Sequence, residues 1–411
     1  MLYTNFIIIK KGSIDMESYS FLLFLGIIMI STKVFGLFSK KIHMPAVVGA
    51  LLAGVILGPS VLGMVTLEGE SGKFLEQMAE LGVILLMFNA GLETDLNELK
   101  KNSVASFVTA IIGVIVPLLG GFLGYALYFH TDFSDYGEVL KAVFVGVVLT
   151  ATSVSITVET LREMGKLKGK VGTTILGAAV IDDIVGIIVL TVVTSLKDPS
   201  VNPLTVLVKI VAYFILIAIL IVVLTKLKVF VEREDGKRRT AIICVALCFI
   251  LAYISEEFFQ IADITGAYFA GLMLCTMKVS PYVARRCEIP SYLIFSPVFF
   301  ASVGLKVTLG GMDAGIWIFS IILLVIAILS KVVGCGLGAK LCSCNAKEAL
   351  QVGIGMISRG EVALIVAQKG YASGMLDDVL FAPIVLVVIV TTLITPILLK
   401  MVMGDKQPQE A

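Results

Sequence analysis

Charge is what this sequence is short of. Asp, Glu, Lys and Arg make up only 15% of its 411 residues, against 58% hydrophobic residues and a mean hydropathy of +1.01. That balance excludes a soluble domain of ordinary composition. Histidine is almost absent. His43 and His130 fall at the ends of apolar runs, with no nucleophile in a pairing pattern, so the sequence offers no enzyme active site. Net charge is +1 and no basic cluster carries interleaved aromatics, which leaves nucleic acid without a footprint. The seven cysteines are scattered and lack zinc-ligand spacing; they read as small apolar filler and free thiols, and no cofactor is implied.

What fills the chain instead is apolar runs near the 20 residues that a spanning helix needs. About thirteen are expected, near 18–38, 44–65, 74–95, 103–129, 138–161, 171–196, 203–227, 240–260, 262–278, 289–308, 314–341, 346–370 and 378–402. The fold class is therefore an all-α polytopic membrane protein with lipid around it. Glu256 and Glu257 mark the break between the eighth and ninth runs. Residues 1–17 read as an extension: Phe6 to Ile9 is too short to span, Lys10 and Lys11 close it, and no small-residue cleavage site follows. Met16 is an alternative start. Residues 403–411 read as a short polar tail.

Loop charges set the orientation. One alternating set of loops holds 21 Lys and Arg, the other eight. The richer set is expected in the cytoplasm of a cell-membrane protein, with the amino terminus outside and the carboxyl terminus inside. The longest inner connection, near Glu232 to Arg239, follows the seventh run and is the best internal boundary.

The sequence repeats itself. Gly49-Ala50-Leu51-Leu52-Ala53-Gly54-Val55-Ile56-Leu57 matches Gly266-Ala267-Tyr268-Phe269-Ala270-Gly271-Leu272-Met273-Leu274 at five of nine positions. Gly91-Leu92 then follows 42 residues after Gly49, and Gly304-Leu305 follows 38 residues after Gly266. By the expected spans the two copies cross in opposite directions. Inverted repeats, about 44–196 and 262–402 around a linker helix at 203–227, go with alternating access to a midplane site. Small residues at this spacing also serve ordinary helix packing, so the motif alone leaves both readings open.

Against this apolar background a few polar groups stand out. Asp182 and Asp183 sit in mid-run between Val171 and Leu196. A single carboxylate at the bilayer centre costs about 3 kcal/mol, and folding asks for neither. Thr150-Ala151-Thr152-Ser153-Val154-Ser155 puts hydroxyls in the middle of the fifth run, where they either bond back to the previous turn or free carbonyls for a cation. Gly353-Ile354-Gly355-Met356-Ile357-Ser358-Arg359-Gly360-Glu361 weakens the matching run of the second repeat with three glycines. Arg359 and Glu361 there fit a structural role as well as a transport one. Lys331 lies deep in the eleventh run, too far from its end to snorkel, and must lose its proton or find an anion. Asp182 and Asp183 are the anions at similar depth. A helix turns about 100° per residue, so one can take Lys331 while the other faces a cation. Competition between protons and a small cation for such carboxylates is exchange. Release of about two protons per monovalent cation would move net charge, at roughly 2.3 kcal/mol per charge per 100 mV.

The stretch Ala151-Thr152-Ser153-Val154-Ser155-Ile156-Thr157, then Gly177-Ala178-Ala179-Val180-Ile181-Asp182-Asp183, then Lys331, then Ser358-Arg359-Gly360-Glu361-Val362, resembles the monovalent cation/proton antiporter family. The similarity covers roughly 18–402 and is nearest the cation:proton antiporter-2 branch, the NapA-like bacterial sodium/proton antiporters. It implies the sodium/proton antiporter fold with two crossing broken helices, a homodimer, and a mobile core that slides like an elevator. It implies Asp183 as chief cation and proton ligand, Asp182 as the partner of Lys331 and a further sodium ligand, and Thr152 and Ser153 beside them. Ser155, Arg359 and Glu361 would support the broken helices. Electroneutral relatives carry asparagine at the position of Asp182. Kef-like potassium efflux relatives carry glutamine there and add a nucleotide-binding domain. This chain has neither, which favours electrogenic exchange of sodium, or lithium. Asn89 departs from a more usual apolar residue. A potassium/proton antiporter remains the alternative, and a cation channel is the reading from another class, although a channel needs no titrating lysine beside a carboxylate pair.

Overall fold

A computed structural model describes residues 19–198, 202–232, 236–306, 313–342 and 344–404. The expected extension before residue 19 and most of the expected tail lie outside the described residues. Every regular element among them is helical. In chain order they are α1 Ser20–Lys41, α2 Ala46–Leu57, α3 Gly69–Glu93, α4 Leu96–Lys101, α5 Ser103–Phe129, α6 Tyr136–Thr150, α7 Val154–Glu163, α8 Lys170–Lys197, α9 Pro203–Glu232, α10 Arg238–Phe259, α11 Asp263–Leu274, α12 Ser280–Pro290, α13 Ser296–Leu305, α14 Ala314–Leu341, α15 Ala346–Gly355, α16 Glu361–Ala372 and α17 Asp378–Met403. A π-helical turn, Ser291–Phe295, joins α12 to α13.

Local chemistry sets the starts. Asp135, Asp313 and Asp377 accept backbone N–H bonds at the starts of α6, α14 and α17. Asn345 and Glu348 form a reciprocal capping box at the start of α15. Such caps satisfy N–H groups that a helix leaves unpaired at its first turn.

Among the described residues, ten helices are long and apolar enough to cross a membrane, with Tyr136–Glu163 counted across its interruption. The expected thirteen full spans are therefore not all met. The second and ninth runs are 12-residue helices, α2 and α11. At 1.5 Å per residue each is about 18 Å long, short of a hydrocarbon core of about 30 Å. Pro45 and Gly58 bound α2, although hydropathy alone reads on through them. The twelfth run is the pair of half-helices α15 and α16. One edge also moves. Glu256 and Glu257 lie inside α10, and the break comes at Gln260, which turns left-handed with φ 59° and donates its N–H to the Glu256 carbonyl. Helix α9 runs through Glu232 and α10 begins at Arg238.

The repeated glycines have a packing role. A Cβ on Gly54 would strike the backbone of Ala301 in α13, and one on Gly304 would strike Leu51 and Val55 in α2. Likewise Gly271 of α11 abuts Phe88 and Leu92 of α3, and Gly91 abuts Tyr268 and Leu272. The first helix of each copy thus packs on the later helix of the other copy, backbone to backbone, which larger residues would prevent.

Buried apolar residues fall into two main clusters. One joins α1, α2, α3, α9, α10, α11, α12 and α13 and reaches α5, α7, α8, α14 and α15. The other is built from α5, α6, α14, α16 and α17, with Leu190 and Val193 of α8. Helices α5, α8 and α14 contribute to both, and the middle of α8 carries the two aspartates.

Candidate functional site

Helix α6 stops at Thr150 and α7 starts at Val154, so Ala151, Thr152 and Ser153 form an extended break in mid-span. Helix α15 stops at Gly355 and α16 starts at Glu361, which leaves a second break at residues 356–360. The two breaks meet. Ser153 donates its N–H to the Ser358 carbonyl at 2.7 Å, and Thr157 Oγ1 donates to the Gly355 carbonyl at 2.8 Å. A broken helix exposes carbonyls at one cut end and N–H groups at the other, and these must be satisfied away from lipid.

Arg359 satisfies several of the carbonyls. It is fully buried, and its guanidinium donates to Ile357 O and Leu149 O at 2.9 Å and to Ala327 O at 3.0 Å. Leu149 is in the last turn of α6, so the positive group sits at the negative end of that half-helix. Thr392 of α17 donates its hydroxyl to the Arg359 carbonyl. Glu361 opens α16, and its side chain lies outside the described part.

Asp182 and Asp183 are buried on α8, at 2% and 7% exposure. Lys331, fully buried on α14, places Nζ 3.1 Å from Asp182 Oδ1 and 3.3 Å from Oδ2. Asp183 points elsewhere, and its Oδ2 accepts a long bond, 3.5 Å, from Thr265 Oγ1 of α11. One turn step of the helix thus separates a carboxylate held by lysine from one that faces the other helix cluster. Thr152 adjoins the Asp182 carboxyl, yet its buried Oγ1 makes no hydrogen bond of standard geometry. The hydroxyls of Ser153 and Ser155 lie 3.3 Å apart, both buried.

Thr265 was not singled out by sequence reasoning. It directly precedes the repeated Gly266-Ala267 pair, and that adjacency was the available signal. Asn89, on α3, is fully buried with neither amide atom hydrogen-bonded. Glu159, on α7, was also passed over and keeps a buried oxygen with no hydrogen bond, 4.0 Å from Arg162.

Residues 26–404 match the family described as "Sodium/hydrogen exchanger, transmembrane". The chain belongs to the sodium/hydrogen exchanger family. Among its relatives, the Na(+)/H(+)-K(+) antiporter GerN of Bacillus cereus is 41% identical over 393 residues, 94% of this chain and 97% of GerN. The Na(+)/H(+) antiporter of Enterococcus hirae is 37% identical, over 92% of this chain and 97% of its own. The sodium proton antiporter MjNhaP1 of Methanocaldococcus jannaschii shares the fold, with a TM-score of 0.66 at 17% identity over 94% of this chain and 97% of that one. As an exchanger-family member the protein is a multi-pass membrane antiporter for monovalent cations and protons, and the relatives' names describe transporters rather than enzymes.

Proposed function

We propose that this exchanger takes sodium, with lithium as a substitute, against protons, and that Asp183 is the group the two compete for. One observation carries the reading: a lysine-paired carboxylate and a second carboxylate lie side by side in mid-span, next to two crossing helix breaks. Asp182, Thr152 and Ser153 complete the cation's surroundings, and Lys331 couples the proton. When a cation settles on the aspartates, Lys331 loses part of its counter-charge and gives up a proton, so exchange moves net charge. We further read the protein as a homodimer in the cell membrane, amino terminus outside and carboxyl terminus inside, whose cluster around α5, α6 and α14 slides against the other. The separation of buried apolar residues into two main clusters, joined through α5, α8 and α14, supports this division.

Potassium is the second reading. It is favoured by the printed activity of GerN, which includes potassium. Everted membrane vesicles with a pH-sensitive dye separate the two. Sodium and lithium, added singly to an energised preparation, should each collapse the proton gradient, and Asp183→Ala should abolish the response. A full response from Asp183→Ala overturns the site assignment, and a response to potassium alone overturns the sodium preference.

A further inference from the structure

The lysine-rich face, which the loop charges place in the cytoplasm, holds an open cavity of about 320 Å³ between α1, α2, α7 and the α12–α13 turn. Its lining is mostly apolar, but Glu159 and Glu163 of α7 stand on one wall and Lys33 and Lys40 of α1 on another. The two glutamates differ. Glu163 Oε2 accepts the Ala46 N–H at 2.7 Å. Glu159 Oε2 is buried and makes no hydrogen bond.

The cation beside Glu159 is already engaged elsewhere. Arg162 reaches Glu93 at the end of α3 at 3.1 Å and Glu288 of α12 at 3.2 Å, but lies 4.0 Å from Glu159. One guanidinium therefore serves three carboxylates, with Glu163 close by. Around Glu159 the carboxylates of Glu93, Glu163 and Glu288 outnumber the Arg162 guanidinium, with Lys33 and Lys40 across the cavity. Glu159 also lies on the same face of α7 as Ser155, four residues earlier. Ser155 in turn is 3.3 Å from Ser153 in the first break. On α3, the unpaired Asn89 precedes Glu93 by one turn on the face that meets Arg162. Glu159 and Ser155 thus share the face of α7 that leads from the cavity toward the first break.

We propose that Glu159 is a staging carboxylate for the transported alkali cation, holding it in passage between the cavity and Asp183. The proposal rests on the reading of Asp183 as cation ligand. A buried acidic oxygen with no hydrogen bond, its neighbouring guanidinium 4.0 Å away and shared with two other carboxylates, is a place at the wall of an open cavity where a small hard cation replaces missing donors. The local negative charge concentrates cations there.

The test is the apparent KM for sodium, measured with sodium supplied separately to each face of vesicles. Glu159→Gln should raise KM roughly 3- to 10-fold at the lysine-rich face, with no such change at the opposite face. Lys33→Gln removes an exposed positive charge from the cavity mouth and should lower KM at the same face by about 2-fold. Opposite signs on one face support the staging role. An unchanged KM in Glu159→Gln, or a rise on both faces together with a lower unfolding temperature, overturns it in favour of a structural role. If Glu159→Gln does not fold, Lys33→Gln decides alone, and an unchanged or raised KM there overturns the proposal. Failure of the underlying reading shows separately, as exchange that survives Asp183→Ala.

Discussion

The two helix breaks share a geometry and differ in chemistry. Each interrupts a helix in mid-span, each lies in the equivalent helix of its half, and they bond directly to each other through Ser153 and Ser358. The second break carries its own cation. Arg359 binds carbonyls of α6, of α14 and of its own segment, so negative helix ends that could attract a guest ion are occupied. The first break has hydroxyls instead. Thr152 holds its hydroxyl beside Asp182 without a hydrogen bond of standard geometry, and Asp183 follows Asp182 in sequence on α8. The two crossing breaks thus differ by a single arginine, and on the proposed reading that arginine leaves only the first break to a transported ion.

If the second break is a fixed cation site, removing its cation has the largest effect of any change considered for the breaks. Arg359→Ala leaves the carbonyls of Leu149, Ala327 and Ile357 without that donor. Ala327 lies in the middle of α14 and keeps the Ser330 hydroxyl as a donor, so the orphaned carbonyls are those of Leu149 and Ile357, at about 1–3 kcal/mol each. The variant should show a strongly lowered unfolding temperature in detergent and no exchange even at saturating sodium. Arg359→Lys should recover only part of this, because an ammonium cannot fork to three acceptors in a guanidinium's plane. Wild-type stability in Arg359→Ala would erase the contrast between the breaks.

Lys331 tests the other side of the comparison with a smaller effect. Its partner is an aspartate rather than a set of carbonyls. Lys331→Gln removes the positive charge and keeps an N–H donor, one atom shorter than the lysine. The protein should assemble and exchange, with an altered pH profile and a weaker response to membrane potential in proteoliposomes. A profile and potential dependence identical to wild type would show that the lysine takes no part in proton coupling.

Much of this was legible in the sequence, for different reasons in different places. Asp182, Asp183, Lys331 and Arg359 stood out because charge in an apolar run is rare and expensive. Both breaks were legible from hydroxyls in one run and glycines in the other. The short helices α2 and α11 were not, because hydropathy measures an apolar run and not where Pro45, Gly58 or a left-handed Gln260 ends a helix. The role of the repeated glycines was half legible. The spacing announced close packing, but only the folded chain shows Gly54 against α13 and Gly271 against α3. Thr265 and Glu159 escaped notice because a lone threonine or glutamate near a span end is ordinary in sequence. What distinguishes them is three-dimensional: a carboxylate across a helix interface, and a cavity.

The smallest effect is also the most discriminating. Thr152 is buried, and its hydroxyl adjoins the Asp182 carboxyl without a hydrogen bond of standard geometry. A buried hydroxyl of that kind is unfavourable by about 1–3 kcal/mol. Thr152→Val keeps the shape and removes the oxygen, so on packing grounds alone the unfolding temperature should hold or rise. If that oxygen is kept for the transported ion, the same variant should raise the apparent KM for sodium by roughly 3-fold, about 0.7 kcal/mol of lost binding. The two readouts then move in opposite senses, toward stability and away from affinity. The matching change in the second break, Ser358→Ala, also deletes a buried unpaired hydroxyl, but beside the fixed arginine. It should leave sodium KM where it was. Equal shifts in KM from the two variants would mean that the transported ion does not distinguish the breaks.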